Sequence, residues 1–347
     1  MKFGLHFLLQ DPPNGENLPR IYDEVFEQAE LAERLGFDAF FVPEHHQMPD
    51  GYMPAPLTFL AALAVRTKRA ELGTAIMQLP LFYPLEIAEQ GAVIDNLSKG
   101  RFILGAGLGL VQKEFDGFGI PMTEAASRFT ESVEILKHAW AGETFSHQGK
   151  HFQFTDVTIT PRPVRRPRPP IWVGAMSEIT LKRAGRIADG WISDPLHNFD
   201  VMKAWGQIYR DAAVRVGNRR VEVALMRDAW VAENRAEVER VWWPHIQAYH
   251  LFYLRLGFFS SGRFNAQWEP WVKDVKSDAE WSFARVAPNR LICGTPDEVT
   301  AEIQRYQREV GCQYMILMLR HPTGPSHAET LKCIELLGTK VLPRFRE

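Results

Sequence analysis

Ala32-Glu33-Arg34-Leu35-Gly36-Phe37-Asp38-Ala39-Phe40-Phe41-Val42-Pro43-Glu44-His45-His46 decides the architecture of this chain. It reads as the end of a helix, a glycine break, a buried apolar strand, and then two imidazoles and a carboxylate together at the strand's carboxyl end. A helix feeding a short, wholly apolar strand is the signature of an α/β protein, whose active sites are built where strands end. Histidine moves protons near neutral pH without a large pKa shift. The other reading of Glu44-His45-His46, a polar loop after a strand, stays open on these residues alone.

The same rhythm extends outward in both directions. Strands are expected over residues 2–9, 39–42, 71–77, 102–106, 170–174, 190–192, 221–232 and 314–319. Helices are expected over 17–35 (Ile21, Val25, Ala29 and Ala32 on one face), 56–67, 84–97, 125–141, 178–187, 201–216, 296–310 and 328–337. Each of these strands except the seventh leads fairly directly into a helix. Such a series predicts a (β/α)8 TIM barrel in a single domain rather than an open sheet.

Two stretches interrupt it, one after the fourth strand and one after the seventh. Residues 144–160 alternate as a small hairpin, and 161–170 hold five prolines and four arginines, an extended strap whose arginines suit solvent or surface carboxylates. Residues 241–290 are crowded with aromatics: Trp242, Trp243, Tyr249, Phe252, Tyr253, Phe258, Phe259, Phe264, Trp268, Trp271 and Trp281. A lid over an apolar pocket, an oligomer contact and plain core packing all fit that density.

Composition narrows the class of function. The net charge of −2 supplies no general field for nucleic acid or an anionic membrane surface. No apolar run is long enough to span a bilayer, and residues 1–7 enter strand pattern without a signal-peptide layout. Cys293, Cys312 and Cys333 have no CxxC spacing and read as thiols in a reducing, cytoplasmic compartment.

Several strand ends carry further candidates. Gly105-Ala106-Gly107-Leu108-Gly109 lacks the spacing of a dinucleotide fingerprint; its glycines serve either a tight turn or the close approach of a planar ligand. Gly174-Ala175-Met176-Ser177-Glu178-Ile179-Thr180 joins a strand to a helix, where free N–H groups and two hydroxyls cradle a phosphate monoester or Ser177 simply caps the helix. His6, Gln78, Arg320 and His321 sit where a barrel pocket opens. There is no zinc spacing, Walker loop or nucleophile elbow, and His147 and His151 share an insertion without nearby cysteine.

These motifs together resemble the luciferase-like flavin-dependent monooxygenases. The resemblance rests on Lys2-Phe3-Gly4, Glu44-His45-His46, Leu72-Gly73-Thr74-Ala75, Asn96-Leu97-Ser98-Lys99-Gly100-Arg101-Phe102, Pro170-Ile171-Trp172-Val173-Gly174 with Ser177 and Thr180, and the ending Leu336-Leu337-Gly338 with Val341-Leu342-Pro343. It covers most of the chain and is weakest over 241–290. It implies a barrel that binds reduced FMN from a separate flavin reductase, with the flavin ring over the strand ends near Ala75, Ile76, Gln78, Gly107, Gly174 and Ala175. The phosphate would sit on Met176, Ser177 and Thr180. His45 would assist catalysis beside Glu44, His46 and His6, and the Ala75–Ile76 peptide would be cis.

The implied reaction is oxygenation of a small hydrophobic substrate by O2 through a flavin C(4a)-peroxide, in a homodimer. Light-emitting members carry a Cys and an Arg where this chain has Gly107 and Leu108, so the phosphate charge is met elsewhere and light emission is not inferred. The alternatives are hydride transfer with a deazaflavin coenzyme, favoured by Lys182, Arg183 and Arg186, and a flavin-binding protein without turnover.

Overall fold

The computed structural model describes residues 1–218, 221–255 and 269–346. Eight parallel strands close on themselves: β1 Lys2–His6, β2 Ala39–Val42, β3 Glu71–Thr74, β4 Phe102–Gly107, β5 Ile171–Gly174, β6 Gly190–Ile192, β7 Glu222–Val231 and β8 Tyr314–Met318. Leu5 of β1 is in register with Phe40 of β2 on one side and Leu317 of β8 on the other, which completes the ring. Around it run α1 Leu18–Leu35, α2 Pro56–Arg66, α3 Pro84–Ser98, α4 Gln112–Phe118, α5 Ala125–Ala141, α6 Glu178–Ile187, α7 Phe199–Arg215, α8 Trp243–Arg255, α9 Pro296–Glu309 and α10 His327–Leu336.

The opening stretch folds as its pattern requires. Ile21, Val25, Ala29 and Ala32 are the buried stripe of α1, and Gly36 ends the helix at φ 95°, a left-handed position that a Cβ disfavours. In β2 every residue is buried because both faces are covered. Phe40 and Val42 face the helices, whereas Ala39 and Phe41 join Ile103, Trp172, Ile192, Ala224, Tyr314 and Ile316 inside the barrel. The barrel is a packed core, sealed at its amino end by polar pairs. Lys2 and the Tyr314 hydroxyl both donate to Glu71, at 2.8 and 2.6 Å, and Trp172 Nε1 donates to Glu222 at 3.0 Å.

Small residues set how closely the strands approach. A Cβ on Gly105 would lie 2.0 Å from the Thr74 carbonyl oxygen, so β3 and β4 can meet only at glycine. One on Gly107 would lie 2.2 Å from the Ile76 side chain. Gly107 is thus packed directly against the Ile76 side chain.

Four elements differ from the sequence expectation. The third strand, expected unbroken over 71–77, stops at Thr74, and Met77–Gln78 pairs separately with β4; between them the Ala75–Ile76 peptide is cis, as the resemblance implies. The loop after β4 contains α4. The seventh strand is followed directly by a helix, running from Arg235 through a π-helical turn at Val238–Trp242 into α8. Pro244 hides it in the sequence, since proline lacks the N–H a regular helix needs; the wide turn lies just before that residue. Thus 241–290 is no uniform insertion: Trp242 and Trp281 are core, Tyr249 and Tyr253 pack in part against it, and Phe252 is exposed. Phe258, Phe259, Phe264 and Trp268 lie outside the described residues.

The 144–160 stretch is the expected antiparallel hairpin, Phe145–Gln148 with Gln153–Val157. In the strap, Arg165 pairs with Glu71 at 3.0 Å and Arg168 with Asp189 at 2.6 Å. Among the described residues no helix is long and apolar enough to cross a membrane.

Candidate active site

Glu44, His45 and His46 leave the carboxyl end of β2 and divide their tasks by burial. Glu44 Oε1 accepts from His46 Nε2 at 3.1 Å and from the Gln78 N–H at 3.1 Å. Burial raises the Glu44 carboxyl above its ordinary range against the pull of His46. His46 is closed in by the rings of Phe118 and Phe82, at 4.7 and 5.9 Å. His45 is the open member, with 27% of its side chain exposed and its ring 4.6 Å from that of Tyr52.

The partner of His45 is a residue that the sequence did not single out. Glu114 of α4, fully buried, accepts from His45 Nδ1 at 2.8 Å and from the His46 N–H at 2.8 Å. Burial alone would raise this carboxyl, but those hydrogen bonds outweigh it and hold the group below the usual carboxylate range. An ionised carboxylate only accepts, so the proton on Nδ1 of His45 faces Glu114 and Nε2 is turned to the open side. The logic is that of a base oriented by a buried acid. A Glu two residues into an unpredicted helix carries no local signal.

A second polar group gathers at the heads of β1, β7 and β8. His6 Nε2 is 3.1 Å from the Ala75 carbonyl, and burial pushes the His6 pKa from 6.5 to about 4. Asp228 of β7 accepts from His250 Nε2 of α8 at 3.0 Å, and His321 Nε2 lies 3.1 Å from its other oxygen. Burial drives this carboxyl upward, yet the two imidazoles keep it well below the usual range. Asp228 and His250 were also missed. The adjacent charges Arg227 and Asp228 within a mostly apolar barrel strand were the one available signal.

The His6 shift has a measurable consequence. Its proton affinity is lower folded than unfolded, so its contribution to stability is complete above pH 6.5 and is lost as pH falls toward 4. The depression is on the order of 3 kcal/mol. The urea midpoint should drop from pH 7 to pH 4.5, and His6→Gln, which does not titrate there, should flatten that drop. An equal drop in the variant would assign the effect to other groups.

The remaining candidates fall at neighbouring strand ends. Ala75, Ile76 and Gln78 follow β3, Gly107 ends β4, and Gly174 and Ala175 end β5. The Ala175 carbonyl accepts from Trp191 Nε1 at 3.0 Å. Ser177 caps α6 through a reciprocal box: its Oγ accepts from the Thr180 N–H at 3.4 Å, and Thr180 Oγ1 accepts from the Ser177 N–H at 3.0 Å. Capping is therefore realised, and the N–H groups of Glu178 and Ile179 still lack intrahelical acceptors. Met176 is half-buried beside them.

Residues 1–312 match the model of the luciferase-like monooxygenases. The chain is 29% identical over 354 residues to the oxygenase component of flavin-dependent trigonelline monooxygenase from Acinetobacter baylyi, covering 100% of this chain and 96% of that one. It is 28% identical over 343 residues to F420-dependent glucose-6-phosphate dehydrogenase from Microbacterium testaceum, covering 94% of each. The crystal structure of monooxygenase RslO1 from Streptomyces bottropensis superposes with a TM-score of 0.82 at 29% identity, over 99% of this chain and 100% of that one. The chain spans about half the length of another relative, the uncharacterized protein y4wF of Sinorhizobium fredii, at 38% identity over 173 residues.

Proposed function

Because the chain belongs to the luciferase-like monooxygenase family, we propose that it is the oxygenase of a two-component system. It takes reduced FMN from a separate flavin reductase and places one atom of O2 in a small hydrophobic organic substrate, releasing the other as water. The observation that carries this reading is the His45–Glu114 pair: an imidazole with a fixed Nδ1 proton and an open Nε2 at the head of a barrel strand. The full-length likeness to a flavin-dependent oxygenase component supports it.

The donor set at α6 fits a flavin phosphate. The free N–H groups at its first turn form the positive end of the helix dipole. Arg183, one turn on and half-buried, has no carboxylate partner among the described residues and can supply the charge that Gly107 and Leu108 do not. Ser177, Thr180 and Met176 would flank the phosphate, and Ala75, Ile76, Gln78, Gly107, Gly174 and Ala175 the ring. Bound reduced flavin supplies the two electrons that O2 requires. The chain's own part is to exclude water and to hold or move a proton at His45 Nε2. Glu44 and His46 keep that loop in place.

Hydride transfer with a deazaflavin coenzyme is the second reading, favoured by the likeness to an F420-dependent dehydrogenase and by Arg183 and Arg186 on α6. Val65, Val93 and Leu97, exposed on α2 and α3, support a homodimer, and three free thiols support a cytoplasmic location.

Rapid mixing separates the two readings. Reduced FMN bound to the protein and mixed with oxygenated buffer should give oxidised-flavin absorbance only after a lag that free reduced FMN lacks. Reoxidation without a lag, together with tighter binding of the deazaflavin than of FMN, would replace the oxygenase by the hydride-transfer enzyme.

A further inference from the structure

The flavin reading uses the place of Gln78 at the strand heads but not its side chain, which is buried. Gln78 is in register with Gly107 of β4, and its main-chain N–H donates to Glu44 Oε1 at 3.1 Å. Its amide lies against the loop after β4 and the first turn of α4. A Cβ on Gly109, at φ 79°, would stand 2.6 Å from Gln78 Oε1 and 2.8 Å from the ring of Phe115, the neighbour of Glu114. The last glycine of the Gly105–Gly109 run thus leaves room for this amide beside α4.

Three side chains in this cluster hold buried polar atoms with no hydrogen-bond partner: Glu44 Oε2, Glu114 Oε2, and Oε1 and Nε2 of Gln78. The residues are 3%, 0% and 2% exposed, so solvent does not serve them. Glu114 Oε1 is already taken by His45 Nδ1 and the His46 N–H, which leaves Oε2 in need of a donor. Gln78 has two amide N–H groups to give, and it stands beside that carboxyl, adding to the pull that holds it below the usual range. The titratable groups around Glu114 are His45, His46, Glu44 and Tyr52. Of these, His46 turns Nε2 to Glu44, and His45 Nδ1 is spent on Oε1. Two neighbouring buried carboxylates do not both ionise cheaply, so a donor given to one of them decides which carries the charge.

We propose that Gln78 is a positioning residue of this site: its side-chain amide donates to Glu114 Oε2 and thereby holds the carboxylate that orients His45. That this hold serves oxygenation rests on the oxygenase reading; the hold itself does not.

NMR on the full chain without flavin tests it, with glutamate carboxyls labelled in 13C and glutamine side-chain amides in 15N. The Glu114 signal is the one missing from Glu114→Gln, and the Gln78 amide the one missing from Gln78→Met. In the parent protein the Gln78 amide should shift at the midpoint of the Glu114 titration. Gln78→Met keeps the length of the side chain and loses the amide, so it should raise that midpoint by about one pH unit, a tenfold gain in proton affinity. A purely packing role would leave the midpoint where it was. Gln78→Asn, one methylene shorter, serves the same two purposes should Gln78→Met fail to fold. A Gln78 amide indifferent to the Glu114 titration, or an unmoved midpoint in the folded variant, would overturn the assignment. Failure of the oxygenase reading shows separately, as reoxidation without a lag, because this titration contains no flavin.

Discussion

His45→Ala should lower coupled product formation by about 10²–10⁴-fold, the usual contribution of one positioned proton-transfer group, while oxygen consumption continues as hydrogen peroxide. The structural reason is that the ring is the open member of its cluster. It offers one nitrogen to the site and spends the other on Glu114 at 2.8 Å. The fold should survive, since the side chain is 27% exposed and the neighbouring loop is held by Glu44, Gln78 and the His46 N–H. Glu114→Gln isolates the positioning role. The amide keeps an acceptor for the His46 N–H but loses the charge that orients the imidazole, so kcat should fall roughly tenfold with KM for substrate unchanged. Product formation by His45→Ala at the parent rate would remove this residue from the mechanism, whatever Glu114→Gln did.

Trp172→Ala should cost about 3–5 kcal/mol of stability, at the upper end for a buried aromatic. Trp172 plugs the amino half of the barrel with no exposed surface, stacked 5.7 Å from Phe41 and edge-on 4.7 Å from Tyr314. Its removal leaves a hole that strands locked in a closed ring cannot collapse into. It also strips Glu222, whose carboxyl burial already raises, of its indole donor. Trp172→Phe should lose less, because most of the ring contact survives. Urea midpoints read both changes, and FMN affinity should move little, since the plug lies at the end opposite the strand heads. A loss below about 1 kcal/mol for Trp172→Ala would mean that the barrel relaxes far more than packed cores do.

The line between what could be read and what could not runs through particular residues. The α1 stripe, the glycine stop, the wholly buried β2 and the polar cluster at its end were legible, because each is a matter of period or of residues adjacent in the chain. So was the capping potential of Ser177 and Thr180, three residues apart. The helix after β7 was not, since Pro244 disguises a periodicity that the π-helical turn restores.

Glu114 stands 69 residues from His45, and Asp228 stands 22 residues from His250. No spacing rule connects such pairs, because the barrel's closure brings them together. The sequence by itself determined eight strand–helix units and the imidazoles at their ends, since hydrophobic period and chain order are local properties. Which imidazole is buried and which is open was decided only by tertiary structure. Burial and hydrogen-bond partnership depend on what the rest of the fold packs against each ring.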